Sequence, residues 1–384
     1  MKYLIIASDI GLTTPGIVYE TMIRELSKTI DVSVITLRVN KGISMQVSFL
    51  PTVHKSSSYA MLEYVIMMIF GKNFIDYYWL NRQKKIINSH TILEQDVIIS
   101  FCSFHNYASI ILGYYLSKKI NKKWLIYSVD AVPAPMNWVR SHRYFNNTRR
   151  YITKFITKCD AFFSSNEQML KYQVSLIPDL PIVRGVLYTP THLSYNNDTD
   201  NKEINTRCVF LYAGSIYGPR KVEALLEGFR LFLQENTAAK LVFVGIKKHT
   251  VFNSCLDLIA SHHVEIYDFT PNLTEFYNKA TVLIDINAYF CNDVYLSSKI
   301  VNYLTVYKPI ISITGDNSPA RNIFTEDPSI IHCIHSSTAI CDAFKKASLN
   351  RFDYSKRAKY VEMFSPQNVI MVLNETVARI LDNE

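Results

Sequence analysis

The sequence is short of the features that mark most special classes of chain. Its 7 Cys among 384 residues are odd in number, scattered, and never in CxxC spacing. That pattern speaks against a disulfide framework or a zinc ribbon and fits a reducing cytoplasm. With only 11 Gly and 13 Pro, the chain is neither collagen-like nor of low complexity. Charged residues are 19% against 48% hydrophobic, which leaves ample material for cores and excludes intrinsic disorder. No apolar run is long enough to span a bilayer, which takes ~20 residues; the longest, AMLEYVIMMIF at 60–70, is far shorter and carries Glu63. The opening MKYLIIASDIG has one Lys, a short apolar run and no small-residue cleavage site, so it reads as a first strand and not a signal peptide. The 10 His form no HxxxH or HExxH spacing, and no protein-held metal is expected.

What is present is a basic excess, and it is lopsided. Residues 1–186 hold 22 Lys/Arg against 12 Asp/Glu, whereas 187–384 hold 19 against 21. An asymmetry of this kind suggests that the first half meets something anionic, such as a membrane surface, a phosphate-bearing lipid or a nucleic acid.

Along the chain, short β-rich runs alternate with helical stretches. In the first half the strand candidates are YLIIAS (3–8), DVSVITL (31–37), DVIISF (96–101), KWLIYSV (123–129) and CDAFFSS (159–165), with helices near 17–28 and 106–119. The polar, aperiodic stretch 188–206 reads as a domain edge. A second series follows: strands at 207–215, 240–246, 264–269, 281–287 and 308–314, and helices at 222–234, 252–261, 273–279 and 298–307. The expectation is an α/β protein of two Rossmann-like domains, residues 1–190 and 207–364, facing across a ligand-binding cleft. Residues 365–384 form a C-terminal helix that starts at a Ser-Pro pair and is able to cross back to the first domain.

Two segments carry candidate chemistry. In YAGSIYGPRKVEALLEGF (212–229) a strand ends at Gly214 and Arg220 and Lys221 open a helix. Free N–H groups plus two cations suit a diphosphate; read alone, the fragment is equally an ordinary βα turn. In SSKIVNYLTVYKPIISITGDNSPAR (297–321), Lys299 lies on the first turn of a helix, the next strand runs into Gly315, and Ser318-Pro319 reads as a helix start. By itself Lys299 reads as well as a surface lysine, but the two segments together match a nucleotide diphosphate.

On these residues the chain resembles the GT-B-fold glycosyltransferases, in particular retaining glycosyltransferase family 4. The likeness covers essentially the whole chain and is stronger from Val209 onward. It implies that Arg220, Lys221, Lys299, Gly214 and the backbone from Gly315 through Ala320, with Ser318 in it, grip the diphosphate of a nucleotide-sugar donor. The family's ribose-binding Glu is replaced by Asn302, which still donates and accepts hydrogen bonds. Its acidic residue near the sugar corresponds to Asp293. Gly16, at the end of the DIGLTTPG loop (9–16), corresponds to the family's first-domain glycine loop, and His105 to a histidine that faces the sugar. Asp130 closes the strand 123–129 and is a further catalytic candidate, since strand C-termini line ligand crevices in such sheets. Read alone, His105 is more often a surface or core histidine and Asp130 a turn residue. The donor is a substrate, and neither a cofactor nor a metal is expected.

The stretch WVRSHRYFNNTRRYITKFITK (138–158) holds 6 Lys/Arg and no acid. At ~100° per residue its apolar and basic side chains separate. It reads as an interfacial helix attracted to anionic lipid, or as a surface helix whose apolar side is buried internally. The apolar run within 59–85 adds to the same surface or is core. The resulting expectation is a sugar transferase of surface polysaccharide or lipopolysaccharide synthesis. It would act on a saccharide or lipid-linked acceptor as a peripheral protein at the inner face of the cytoplasmic membrane. A nucleotide-sugar epimerase of the same fold is one alternative. The other, a nonenzymatic nucleotide- or nucleic-acid-binding protein, lacks any nucleic-acid motif to support it, and no nucleic-acid partner is expected.

Overall fold

Runs such as Leu4-Ile5-Ile6, Ile98-Ile99 and Ile310-Ile311 are apolar at consecutive positions, so both faces of each strand must be covered. A computed structural model shows how. It describes residues 1–40, 42, 44–87, 92–104, 107–193, 208–246, 249–270, 272–349 and 352–382. The chain divides into two compact units, Met1–His192 with Phe364–Glu384, and Leu193–Met363.

The first unit is built on β1 (Lys2–Ala7), β2 (Asp31–Thr36), β3 (Ser48–Phe49), β4 (Val97–Cys102), β5 (Lys123–Ser128), β6 (Ala161–Ser164) and β7 (Val183–Val186), in the spatial order β3-β2-β1-β4-β5-β6-β7. All pairings are parallel. Leu4, Ile6, Ile98, Trp124, Ile126 and Phe162 face one side and pack under α2 (Ala60–Phe70), α3 (Phe74–Ile86), α4 (Ala108–Ile120) and α5 (His142–Ile156). Tyr3, Ile5, Ile99, Leu125 and Tyr127 face the other, beneath α1 (Thr14–Leu26) and the C-terminal helix (Pro366–Asp382), which packs beside α1. The tail helix therefore belongs to the first unit. A further helix, α6 (Glu167–Leu176), joins β6 to β7.

The second unit carries β8 (Val209–Ala213), β9 (Lys240–Val244), β10 (Val264–Tyr267), β11 (Val282–Ile286), β12 (Ile310–Ile313) and β13 (Ile330–Cys333), all parallel, in the order β10-β9-β8-β11-β12-β13. Its helices are α7 (Glu223–Leu233), α8 (Leu256–Ala260), α9 (Thr274–Lys279), α10 (Ser298–Tyr303), α11 (Pro319–Ile323), α12 (Ser337–Ala347) and α13 (Arg357–Met363); the tail helix is α14. Phe210, Phe229, Phe232 and Phe344 form an aromatic cluster between β8, α7 and α12, with the rings of Phe210 and Phe344 4.4 Å apart. Two details differ from the sequence expectation. The segment 252–261 is divided between a 3-10 turn that ends at Cys255 and the short α8. The helix expected over 298–307 is α10 followed by a 3-10 turn at Leu304–Val306, and Lys308 beyond it bonds the carbonyls of Tyr277, Asn278 and Ala280 at the end of α9.

In each sheet the strand order reverses once, between β1 and β4 and between β8 and β11. Connections leave in opposite directions at such a point and open a crevice at the strand C-termini.

Candidate functional site

In the second unit the crevice lies where β8 and β11 end. β8 runs into Gly214, which has φ 141°, a conformation that costs glycine little and other residues much. β11 contributes Asp285, a carboxylate inside an otherwise apolar strand and fully buried. Asn287 donates to its Oδ2 at 2.8 Å. Ser297 caps α10, accepting from the Lys299 N–H at 3.2 Å, and so aims Lys299 across the sheet edge to lie 5.4 Å from the centre of the Tyr212 ring. Arg220 is buried, with its guanidinium 4.6 Å over Tyr217. Its Nε is buried with no hydrogen-bond partner.

These side chains control one another's charge. Burial, reinforced by the neighbouring Arg220 cation, pushes the Lys299 ammonium down to about 7 against the pull of Asp285. Burial also pushes Asp285 up, opposed by Ser297, Lys299, Arg220 and Asn287. Burial opposes the Arg220 charge, but Tyr217, Tyr212, Asp285 and Asp293 outweigh it. The result is two cations pressed together with one buried carboxylate, an arrangement that an anion would relieve.

The other second-unit candidates lie around this edge. Lys221 is exposed, its ammonium 4.4 Å over the Tyr289 ring. Asp293 is buried in the loop before α10 and accepts from the Val294 N–H at 2.8 Å. Asn302 is buried on α10. Ser318 caps α11, accepting from the Arg321 N–H at 3.3 Å, so its hydroxyl is already engaged. Gly315 has a packing reason of its own, because a β-carbon there would meet the Phe290 carbonyl oxygen at 1.9 Å. Among the described residues no group of His, Cys, Asp and Glu could hold a metal ion. The triplet Asp198-Thr199-Asp200, in the polar 188–206 stretch, lies outside the described residues.

In the first unit the crevice between β1 and β4 opens into a cavity of about 310 Å³, lined by Asp9, Arg38, Lys55, Glu63, Phe104 and Asp130 among others. Asp9 is buried, accepts from the Thr13 hydroxyl at 2.9 Å, and lies 3.4 Å from the Arg38 guanidinium. Gly16 is required beside it, since a β-carbon there would fall 1.8 Å from the Asp9 Oδ1. Asp130 accepts from the Phe104 N–H at 3.2 Å. His105 lies outside the described residues.

Sequence reasoning passed over Asp285, Asp9, Arg38 and Lys55. Asp285 carried a legible signal, an acid in the middle of the apolar run TVLIDIN (281–287). Arg38 and Lys55 carried none, since nothing in their surroundings separates them from surface cations.

Compared with known proteins, the chain matches no protein-family description and no curated protein in sequence. Solved structures do match it along the whole chain. Anabaena HepE, determined with UDP and glucose, aligns with TM-score 0.65 at 11% identity over 98% of this chain and 99% of that one. WaaG, a glycosyltransferase involved in lipopolysaccharide biosynthesis, aligns with TM-score 0.65 at 12% identity over 98% and 99%. A putative UDP-N-acetylglucosamine 2-epimerase from Listeria monocytogenes aligns with TM-score 0.58 at 12% identity over 100% and 96%. Two parallel sheets of seven and six strands, matched end to end with these structures, give the chain the two Rossmann-like domains of the GT-B glycosyltransferase fold.

Proposed function

We propose that this protein is a glycosyltransferase that takes its sugar from a nucleotide diphosphate sugar. The observation that carries the reading is the Arg220–Lys299 pair at the β8–β11 switch point. Arg220 keeps a buried Nε–H without a partner, and Lys299 is held down to about 7 by burial and by Arg220. A diphosphate would accept the orphan N–H and restore the ammonium's charge. The UDP and glucose bound to HepE support a nucleotide sugar as the donor.

In the transfer, the bond between the anomeric carbon and the diphosphate oxygen breaks, and an acceptor hydroxyl oxygen bonds to that carbon. Negative charge grows on the departing diphosphate, and Arg220 and Lys299 are positioned to stabilise it. Interactions of this kind act without reorganisation at the moment of reaction. The acceptor hydroxyl loses its proton, and in a retaining, front-face reaction the departing phosphate oxygen receives it. Asp293 and Asn302 are proposed to contact the sugar and ribose hydroxyls.

The acceptor is a saccharide or lipid-linked saccharide of surface polysaccharide or lipopolysaccharide synthesis, met at the inner face of the cytoplasmic membrane. Its candidate seat is the first-unit cavity, where Asp9, Glu63 and Asp130 offer acceptors and Arg38 and Lys55 donors to hydroxyls. The likeness to WaaG supports this class of acceptor.

The likeness to the Listeria protein favours one second reading, epimerisation of the nucleotide sugar. Incubation with a panel of nucleotide sugars, with and without lipid-linked saccharide, tests both. Release of nucleoside diphosphate that depends on acceptor is the expected result. Inversion of the donor sugar with donor alone would overturn the transferase reading.

A further inference from the structure

Helix α2 is apolar at every position except Glu63. Such a helix is ordinarily enclosed in a globular protein, yet only Met67 of its residues is buried. Its single charge points inward, where Glu63 pairs with buried Lys55, and Lys55 also holds Asp76 at 2.5 Å. At ~100° per residue Met61, Leu62, Val65 and Ile69 share the side away from Glu63, and Phe70, on the Glu63 side, is exposed where the helix ends. Met61 is 74% and Phe70 60% exposed. The surface continues into α3: Phe70 meets Phe74 edge-on at 5.5 Å, and Tyr78, 65% exposed, stands one turn further with the Arg82 guanidinium 5.9 Å from its ring centre.

The fringe of this surface is of one sign. Lys72, Arg82, Lys85, Arg143 and Arg150 are exposed, and the two acids of α2 and α3, Glu63 and Asp76, both pair with Lys55. Where α2 ends beside α5, a cavity of about 540 Å³ opens between Phe70, Gly71, Arg143, Asn146 and Arg150. Arg143 donates to the Ile69 carbonyl at 3.1 Å and Asn147 to the Met67 carbonyl at 3.0 Å, which fix its wall.

The expectation that α5 itself meets lipid is corrected by the same geometry. Ile152, Phe155 and Ile156 are buried in the core cluster with the sheet and Phe145 is buried as well, so α5 offers its basic side.

We propose that the outer face of α2 and α3 docks on an anionic phospholipid bilayer. The apolar side chains enter the boundary between headgroups and acyl chains, and the Arg143–Arg150 cavity receives a phosphate-bearing headgroup. Aromatic side chains beside an apolar helix face, ringed by Lys and Arg, are the composition of an interfacial segment. A second copy of this chain is a poorer occupant, because two-fold pairing of one patch sets its cations against themselves. The inference rests on the membrane-side reading above and names the surface that serves it.

Flotation of the full-length protein with vesicles tests the proposal. Binding is expected to phosphatidylcholine mixed with phosphatidylglycerol, not to phosphatidylcholine alone, and to weaken with salt. Each Lys or Arg near an anionic surface contributes about fivefold, so the double variant Arg143→Gln, Arg150→Gln should lose about 25-fold in partitioning. The double variant Met61→Gln, Leu62→Gln changes only exposed side chains; it should fold normally and bind more weakly at every salt concentration. Unchanged partitioning of either double variant, or no binding of the unmodified protein to the anionic vesicles, overturns the proposal. So does a concentration-dependent dimer in sedimentation that the Met61→Gln, Leu62→Gln change abolishes. Nucleotide binding, measured on the same samples, keeps the outcomes separate: its absence would count against the transferase reading while leaving the vesicle result standing.

Discussion

Gly214 and Lys299 occupy one space. A β-carbon on Gly214 would fall 2.1 Å from the Lys299 Cε, and the glycine's φ of +141° is one that other residues rarely adopt. The end of β8 is thus shaped around the aliphatic stem of a lysine that arrives from α10.

Gly214→Ala should therefore displace Lys299 as well as strain the strand end. A residue forced into such a backbone region costs about 1–3 kcal/mol. Calorimetric titration with a nucleotide sugar should show weakened binding, and thermal denaturation a lower midpoint. Unaltered affinity would mean that the position of Lys299 is immaterial to the donor.

Lys299→Met and Arg220→Ala should each lower kcat by about 10²–10³, the typical cost of removing one stabiliser of developing charge. Lys299→Met has a second expected signature. It removes a half-buried charge that burial and Arg220 both oppose, so thermal stability should hold or rise while turnover collapses. A parallel fall in both would point to a structural role.

The Lys299 pKa gives a pH dependence. It is about 7 in the folded protein, against an ordinary 10.5. Without donor, the side chain is mostly neutral above that pH; a bound diphosphate favours the ammonium and raises its pKa. Binding therefore takes up a proton, and affinity for a nucleotide sugar should fall from neutral pH upward, by up to about tenfold per pH unit. The sign for stability is opposite. Between about 7 and 10.5 the unfolded chain holds more protons, so this group's contribution to stability rises with pH. Lys299→Met should flatten both profiles, which titrations at a series of pH values would reveal.

EDTA should leave transfer intact. On the proposed reading Arg220, Lys221 and Lys299 meet the diphosphate charge, which gives a metal no task. Activity that vanished with EDTA and returned with Mn²⁺ would transfer that task to residues outside this site.

The strand–helix alternation was legible because parallel strands buried on both faces are short apolar runs. β13 and α12 were not read: β13 is four residues long and ends in His332-Cys333, whereas α12 carries a helical period at Ile340, Ala343, Phe344 and Ala347 that was passed over. Gly214 and Lys299 were legible as residues at a strand end and a helix start, but the approach of Lys299 to Gly214 depends on the β8–β11 adjacency, which no local pattern encodes. The 138–158 helix shows the limit from the other side. Periodicity identified its apolar face, but it does not say what covers that face, and the cover is the sheet. The apolar run at 60–70 read either as surface or as core, and the structure buries only Met67 of it, with its single acid drawn inward to Lys55.

The most direct test is a calorimetric titration of the unmodified protein and of Lys299→Met with UDP, GDP, ADP and their sugars, in EDTA at neutral pH. Saturable binding of one nucleotide series by the unmodified protein, at least tenfold weaker in Lys299→Met, is the expected result. No binding of any nucleotide, or equal affinity in the two proteins, would remove the donor site from the β8–β11 crevice.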